Sequence, residues 1–264
     1  MTEPHQTAGV IARNGSVLSP MAEAQLGLFH LLLLHLAPGA AVAVIFLALT
    51  PIAFRMHLPA LAAQLVAGLV ALVPLEVGFL LLQGKRLNGR CSLKGVLLYR
   101  LEWSGWRYPL MAIGLCLLSV AIFMASAPIN RIWQQALFSW IPPRYLISGF
   151  QQYAGYSRSV LAAVFSAQLL LNGLLFPIVE ELYFRGYLLP RMSRFGRAAP
   201  LLNAAGFALY HLWQPYNLPM LFAVALPMVF GTWRTRNLSL GIYTHVLFNT
   251  IGGTMALLTV LHGG

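Results

Sequence analysis

Six polar residues lie in the apolar C-terminal part of the chain: Glu180, Glu181, Arg185, His211, His245 and Asn249. The chain holds only six Asp and Glu among its 264 residues, yet it sets two side by side within FPIVEELYFRGYLLPRM (176–192). Ionisable groups at membrane depth are rare and mark functional sites, each with a partner to be named. Glu181 and Arg185 stand i, i+4 with the acid first, so on a helix they meet and neutralise each other. Glu180 projects about 100° away around the same helix and does not share that explanation. A carboxylate, two imidazoles and an amide are acid–base and hydrogen-bonding groups that can pass protons. Glu180, His211 and His245 are also a catalytic zinc donor set with an open fourth position.

Spacing brings these groups to similar depths. At a helical rise of about 1.5 Å per residue, Glu180 lies about 16 Å from Arg191, His211 about 21 Å from Arg197, and His245 and Asn249 about 14 and 20 Å from Arg236. Phe207 and His211 stand i, i+4, as do His245 and Asn249, so each pair shares a helix face. Taken singly, a membrane-helix histidine is often an interhelical hydrogen-bond donor and an asparagine is often helix glue. Four complementary groups at one depth are poorly explained as glue. Gln168 and Asn172, also i, i+4, read as glue, and His30, His35 and Glu76 have no matching set and receive no role. Pro177 reads as a kink that opens the backbone close to Glu180.

The elements that must position these groups follow from composition. The chain is 59% hydrophobic and 9% charged, with a mean hydropathy of +0.73, which predicts an all-α polytopic membrane protein rather than a soluble domain. Apolar runs near 28–54, 60–83, 108–126, 159–179, 198–213, 217–233 and 238–261 approach the ~20 residues a spanning helix needs. Seven spans are expected, and 127–157, rich in Trp, Tyr and Pro, reads as an interfacial or re-entrant stretch that could hide an eighth. The polar site would then lie between the C-terminal helices. No repeat or low-complexity linker divides the chain, so 1–264 reads as one membrane domain with a polar tail over 1–25 and a core over 160–259. No cleavable signal peptide is expected from the mostly polar first 25 residues. Cys91 and Cys116 imply no disulfide framework.

The formal charge of +11 does not indicate nucleic acid, because the basic residues lie in loops between apolar runs. One set of loops carries Arg13, Lys85, Arg86, Arg90, Lys94, Arg100, Arg107, Arg191, Arg194, Arg197, Arg234 and Arg236; the other carries Arg55, Arg131, Arg144 and Arg158. The excess on the first set predicts that those loops, the N-terminus and the opening of the site face the cytoplasm. The stretch 85–107, with Trp103 and Trp106 among its charges, reads as an amphipathic segment on an anionic membrane surface.

EELYFR fits EExxxR, FALYH fits FxxxH and HVLFN fits HxxxN, in that order and on separate apolar spans. Together they resemble the CPBP family of intramembrane proteases, the CAAX-protease and bacteriocin-processing group also called Abi, which includes Rce1-type type II CAAX prenyl endopeptidases. The resemblance covers roughly Val160 to Thr259 and implies a helical fold, typically of eight spans. It implies that Glu180 is the catalytic glutamate, that Glu181 and Arg185 support it, and that His211, His245 and Asn249 complete the site. The implied reaction is peptide hydrolysis by an activated water. An apolar surround disfavours the charged form of a carboxylate and so makes it a better base. His211 would orient the water, while His245 and Asn249 would donate to the oxyanion. The motifs place no serine or cysteine for a covalent route. The metal-free glutamate is preferred over zinc, since HExxH is lacking. A peptide or lipidated protein C-terminus is the expected substrate. The alternatives are a proton-coupled transporter, or a non-proteolytic scaffold or immunity protein.

Overall fold

The computed structural model describes residues 25–102 and 105–262. Most of the expected polar tail, with Arg13, and also Trp103 lie outside the described residues. Among the latter every regular element is helical, and the only bridge is an isolated one between Arg100 and Asn237. The order is α1 (Leu28–Arg55), α2 (Ala60–Ala67), a π turn (Gly68–Leu72) leading into α3 (Val73–Asn88), then α4 (Arg107–Phe138). There follow α5 (Arg158–Leu170), a π turn (Leu171–Leu175), α6 (Phe176–Glu180), a second π stretch (Glu181–Leu188) and a 3-10 stretch (Leu189–Ala198). The chain closes with α7 (Ala199–Tyr210), α8 (Leu218–Thr235) and α9 (Leu238–His262).

All seven apolar runs are helical, the run 198–213 only as far as Tyr210, and six stretches are long and apolar enough to cross a membrane. The count differs from seven because Arg158–Tyr210 is one continuous helical stretch of 53 residues. The chain nonetheless reverses within it. The Asn203 amide donates to Phe184 O at 3.1 Å, and the Phe184 ring meets those of Phe207 and Tyr210 at 5.2 and 4.9 Å. The reversal falls in the 3-10 stretch, where Gly196 takes φ 54, a left-handed conformation that glycine adopts without penalty. The stretch 127–157 yields no eighth span: its first part extends α4 to Phe138, and the rest holds only single 3-10 turns at Pro143–Tyr145 and Gln151–Tyr153.

The loops sort to two ends. At one, Leu26 N donates to Arg191 O (3.2 Å), Leu98 N to Gly186 O (3.2 Å), Arg100 N to Arg236 O (3.0 Å) and Leu238 N to Arg100 O (2.8 Å). These bonds gather the start of α1, the segment before α4, the reversal and the α8–α9 turn, which are the basic loops. At the other end Arg144 stacks over Phe54, and the Trp133 indole donates to Pro215 O at 3.1 Å. There Ile147 N donates to the Tyr216 hydroxyl at 2.9 Å, so the segment between α4 and α5 lies over the α7–α8 turn.

α7 has 12 residues, so it rises only about 18 Å, short of a ~30 Å hydrocarbon core. The covering segment between α4 and α5 lies over the turn that follows it.

Candidate active site

The EELYFR stretch begins where α6 gives way to a π stretch, and irregular helix of this kind is tolerated at membrane depth where it is buried in protein. Pro177 has no N–H for Gly173 O, and the preceding π turn loosens the ladder further. The exposed carbonyls are taken up by α9: the Asn249 amide donates to Asn172 O at 2.8 Å and the Thr250 hydroxyl to Gly173 O at 3.2 Å. This pins α9 beside Glu180 and fixes the register of the HVLFN residues.

The expected ion pair forms, with Arg185 Nη1 3.0 Å from Glu181 Oε1 and both side chains fully buried. The guanidinium lies 4.1 Å above the Phe207 ring, a cation–π contact that ties the pair to α7. His245 bridges the two glutamates: Nδ1 is 3.1 Å from Glu181 Oε1, and Nε2 is 3.8 Å from Glu180 Oε2. Room for Glu181 depends on Gly241, whose added Cβ would stand 2.5 Å from Glu181 Oε2 and 2.6 Å from Thr232 Oγ1.

His211 is the residue just past α7, with φ −75 and ψ 50. Its Nδ1 lies 2.8 Å from Phe207 O, and a carbonyl only accepts, so the proton is on Nδ1 and Nε2 keeps a lone pair. By the same reasoning His245 donates Nδ1–H to the paired Glu181 carboxylate. Its Nε2 can donate only when both ring nitrogens carry hydrogen. The Phe207 ring lies 4.8 Å from His211 and 5.8 Å from His245, spacing the imidazoles.

Glu180, His211, His245 and Asn249 all line one cavity of about 600 Å³. Its walls are otherwise mostly apolar and come from α4 (Val120, Phe123), the covering segment (Ile147, Phe150), α8 (Met220, Leu221) and α9 (Phe248, Met255). Gln168 and Asn172 also line it. His35 does stay structural: its Nδ1 donates to Leu31 O at 2.8 Å, and Asn203 Nδ2 stands 3.4 Å from its Nε2.

Two residues at the site were not anticipated. Glu76, in the first turn of α3, is fully buried. The Tyr210 ring packs against Phe184 at 4.9 Å and His211 at 5.0 Å. Tyr210 is an unspecified position of FxxxH, and no spacing rule connects residue 76 with residue 180. The one available signal was an acid inside an apolar run.

Among the described residues no group of three His, Cys, Asp or Glu side chains is arranged to hold a metal ion. His211 and His245 each commit Nδ1 to another group, which leaves Nε2 as the uncommitted nitrogen of each ring, and His245 Nε2 lies 3.8 Å from Glu180 Oε2.

Fold and site define a multi-pass α-helical membrane protein with a buried acid–imidazole centre. Residues 162–251, which hold all six motif residues, match the family model described as type II CAAX prenyl endopeptidase Rce1-like. The match bears out the resemblance to the CPBP family over these residues, about a third of the chain. No match was found among the curated proteins or the solved structures compared.

Proposed function

We propose that the protein is an intramembrane endopeptidase in which Glu180 activates a water. The observation that carries this is the convergence of Glu180, His211, His245 and Asn249 on one cavity, with Glu181 and Arg185 buried behind His245. Glu180 takes a proton from water as the water oxygen bonds to the scissile carbonyl carbon. His211 Nε2, free to accept, holds the water's other hydrogen. The carbonyl π electrons move onto oxygen, where the second N–H of Asn249 and the Nε2–H of the His245 imidazolium donate to the oxyanion. Collapse re-forms the carbonyl and expels the amine, which takes the proton back from Glu180.

The roles need no metal; zinc held by Glu180, His211 and His245 is the alternative that elemental analysis tests. The apolar walls suit a lipidated or apolar peptide segment, and the family description points to a prenylated protein C-terminus. We count two crossings in Arg158–Tyr210 and hence seven overall, with the basic end, the N-terminus and the entrance of the site on the cytoplasmic side.

The test is cleavage of a prenylated CAAX lipopeptide by detergent-purified wild type and Glu180→Gln, paired with elemental analysis. Cleavage lost in the variant, with no stoichiometric metal, is expected. Stoichiometric zinc that disappears on replacing His211 or His245 would make Glu180 a ligand or metal-assisted base. Cleavage unchanged in Glu180→Gln would end the proteolytic role of this residue. Proton flux in liposomes lost in that variant would favour transport, and a cellular role that survives loss of both Glu180 and His211 would favour a scaffold.

A further inference from the structure

A second concavity, of about 430 Å³, lies at the end of the bundle away from the basic loops, where Phe54, His57, Arg144, Gln152, Tyr156 and Ser157 line it. None of the three motifs contributes to it. Its cation is held in place: the Arg144 guanidinium lies 5.1 Å from the Phe54 ring and 5.7 Å from that of Tyr145, and the two rings meet edge to face at 5.2 Å. Aromatic faces position a guanidinium without neutralising it. None of the ion pairs among the described residues includes Arg144. The placement of the acids explains why. Of the four among the described residues, Glu76, Glu180 and Glu181 are buried in the bundle, and Glu102 pairs with Arg100 at the basic end. Arg55 and Arg158, both exposed, directly adjoin the lining residues Phe54 and Ser157 in sequence, so the chain brings three arginines and His57 to one neighbourhood that has no carboxylate among the described residues. One wall is fixed by its own bonds: Gln152 Nε2 donates to Ser148 O and Gly149 O, both at 2.8 Å, and the Tyr153 hydroxyl donates to Ile147 O at 3.1 Å. Ile52 and Met56 are exposed apolar residues beside Arg55 and His57, and Trp140 is exposed at the same end. Apolar side chains that give way to arginine, with tryptophan at the same level, mark the headgroup layer of a bilayer.

We propose that this concavity binds the headgroup of a net-anionic glycerophospholipid, with the lipid phosphate on the Arg144 guanidinium. Arginine presents a planar fork of donors that matches phosphate oxygens two at a time, and a tyrosine hydroxyl such as that of Tyr156 can donate to a further headgroup oxygen. The missing carboxylate selects among lipids. The ammonium of a zwitterionic headgroup would find no counter-charge here, whereas a headgroup with net negative charge meets Arg55 and Arg158 as well as Arg144. The site is separate from the motif residues, and the reading of Glu180 as a base is not needed for it. The two sites share one wall all the same. Ile147, Phe150 and Tyr153 of the covering segment line the cavity of Glu180, and Gln152 and Tyr156 of the same segment line this concavity. A lipid held at Arg144 therefore bears on the outer side of the segment whose inner side faces the motif residues.

The test uses the full-length protein purified in detergent, with phosphatidylglycerol and phosphatidylcholine of the same acyl chains as probes and native mass spectrometry to read bound lipid. Wild type is expected to bind phosphatidylglycerol in preference to phosphatidylcholine. Arg144→Gln should weaken that binding about 10-fold, the usual scale for removing one charge-assisted contact, and Arg144→Lys, which keeps the charge without the fork, should weaken it less. Arg131→Gln removes an exposed arginine of the same end that lies outside the concavity, and it should bind as wild type does. Equal weakening in Arg131→Gln would mean a general attraction between an anionic lipid and positive charge and overturns the proposal, as does unchanged binding in Arg144→Gln. Displacement of the lipid by inorganic phosphate at the same concentration would reassign the site to a soluble anion and overturns it too. A second arm needs no variant: phosphatidylglycerol carrying a photoreactive diazirine in its headgroup is expected to label wild type within 52–58 and 144–157. Labelling confined to the basic loops overturns the proposal.

Discussion

His245 Nδ1 lies 3.1 Å from Glu181 Oε1, the same oxygen that Arg185 approaches to 3.0 Å. One carboxylate oxygen thus holds a guanidinium of its own helical stretch and an imidazole of α9, which divides the labour of the adjacent glutamates. Glu181 fixes other groups, whereas the ion-pair contact of Glu180, to His245 Nε2, is the longer one at 3.8 Å, which suits the proposed role of Glu180 as the base.

That division predicts different phenotypes for the two isosteric substitutions. Glu181→Gln removes one half of a fully buried pair and should lower stability by about 3–5 kcal/mol, together with activity. Glu180→Gln should lower kcat at least about 100-fold while the thermal midpoint in detergent stays within error of wild type. Thermal unfolding and cleavage kinetics on the same preparations check both outcomes.

At Gly241 the prediction is steric. A Cβ placed 2.5 Å from Glu181 Oε2 and 2.6 Å from Thr232 Oγ1 must displace one of them. Gly241→Ala should therefore destabilise by about 1–3 kcal/mol. Gly252→Ala, where nothing lies within 4 Å, should match wild type in the same melting experiment.

The bonds that α9 makes to the loosened backbone at Pro177 predict a coupling. Thr250→Val strands Gly173 O and should cost about 1–3 kcal/mol without changing kcat. Pro177→Ala restores an N–H that can serve that carbonyl, so in the Pro177→Ala background the Thr250→Val effect should shrink. A double-mutant cycle of thermal midpoints measures it, and strictly additive effects would refute the link.

Asn249 should differ from its neighbour. Its amide has two hydrogens, one given to Asn172 O and one available to the cavity. Asn249→Ala should then lower both stability and kcat, whereas Thr250→Val lowers stability alone. A variant melting like Thr250→Val with full kcat would remove Asn249 from the oxyanion role.

Much of this was legible from local spacing. Glu181 and Arg185 meet as their i, i+4 separation requires, and Phe207 and His211 do so through both ring contact and hydrogen bond. All seven helical runs followed from apolar length. What escaped was non-local or depended on helix irregularity. The short α7, which ends at Tyr210 under the covering segment, looked like part of a full span because the apolar run continues beyond the helix to Trp213. The π stretch was hidden because its residues have ordinary helix-forming character and only the packing of α9 and Leu98 reveals the widened turn.

The bond from Leu98 N to Gly186 O has a mechanical consequence. Gly186 directly follows Arg185, and the same surface segment is tied to Arg236 and Leu238 on either side of the α8–α9 turn. Lys94 and Arg100, exposed on that segment, therefore sit on a lever whose short arm ends at the buried ion pair. A displacement of that basic surface would reach the turn beside Arg185 directly through the Leu98–Gly186 bond.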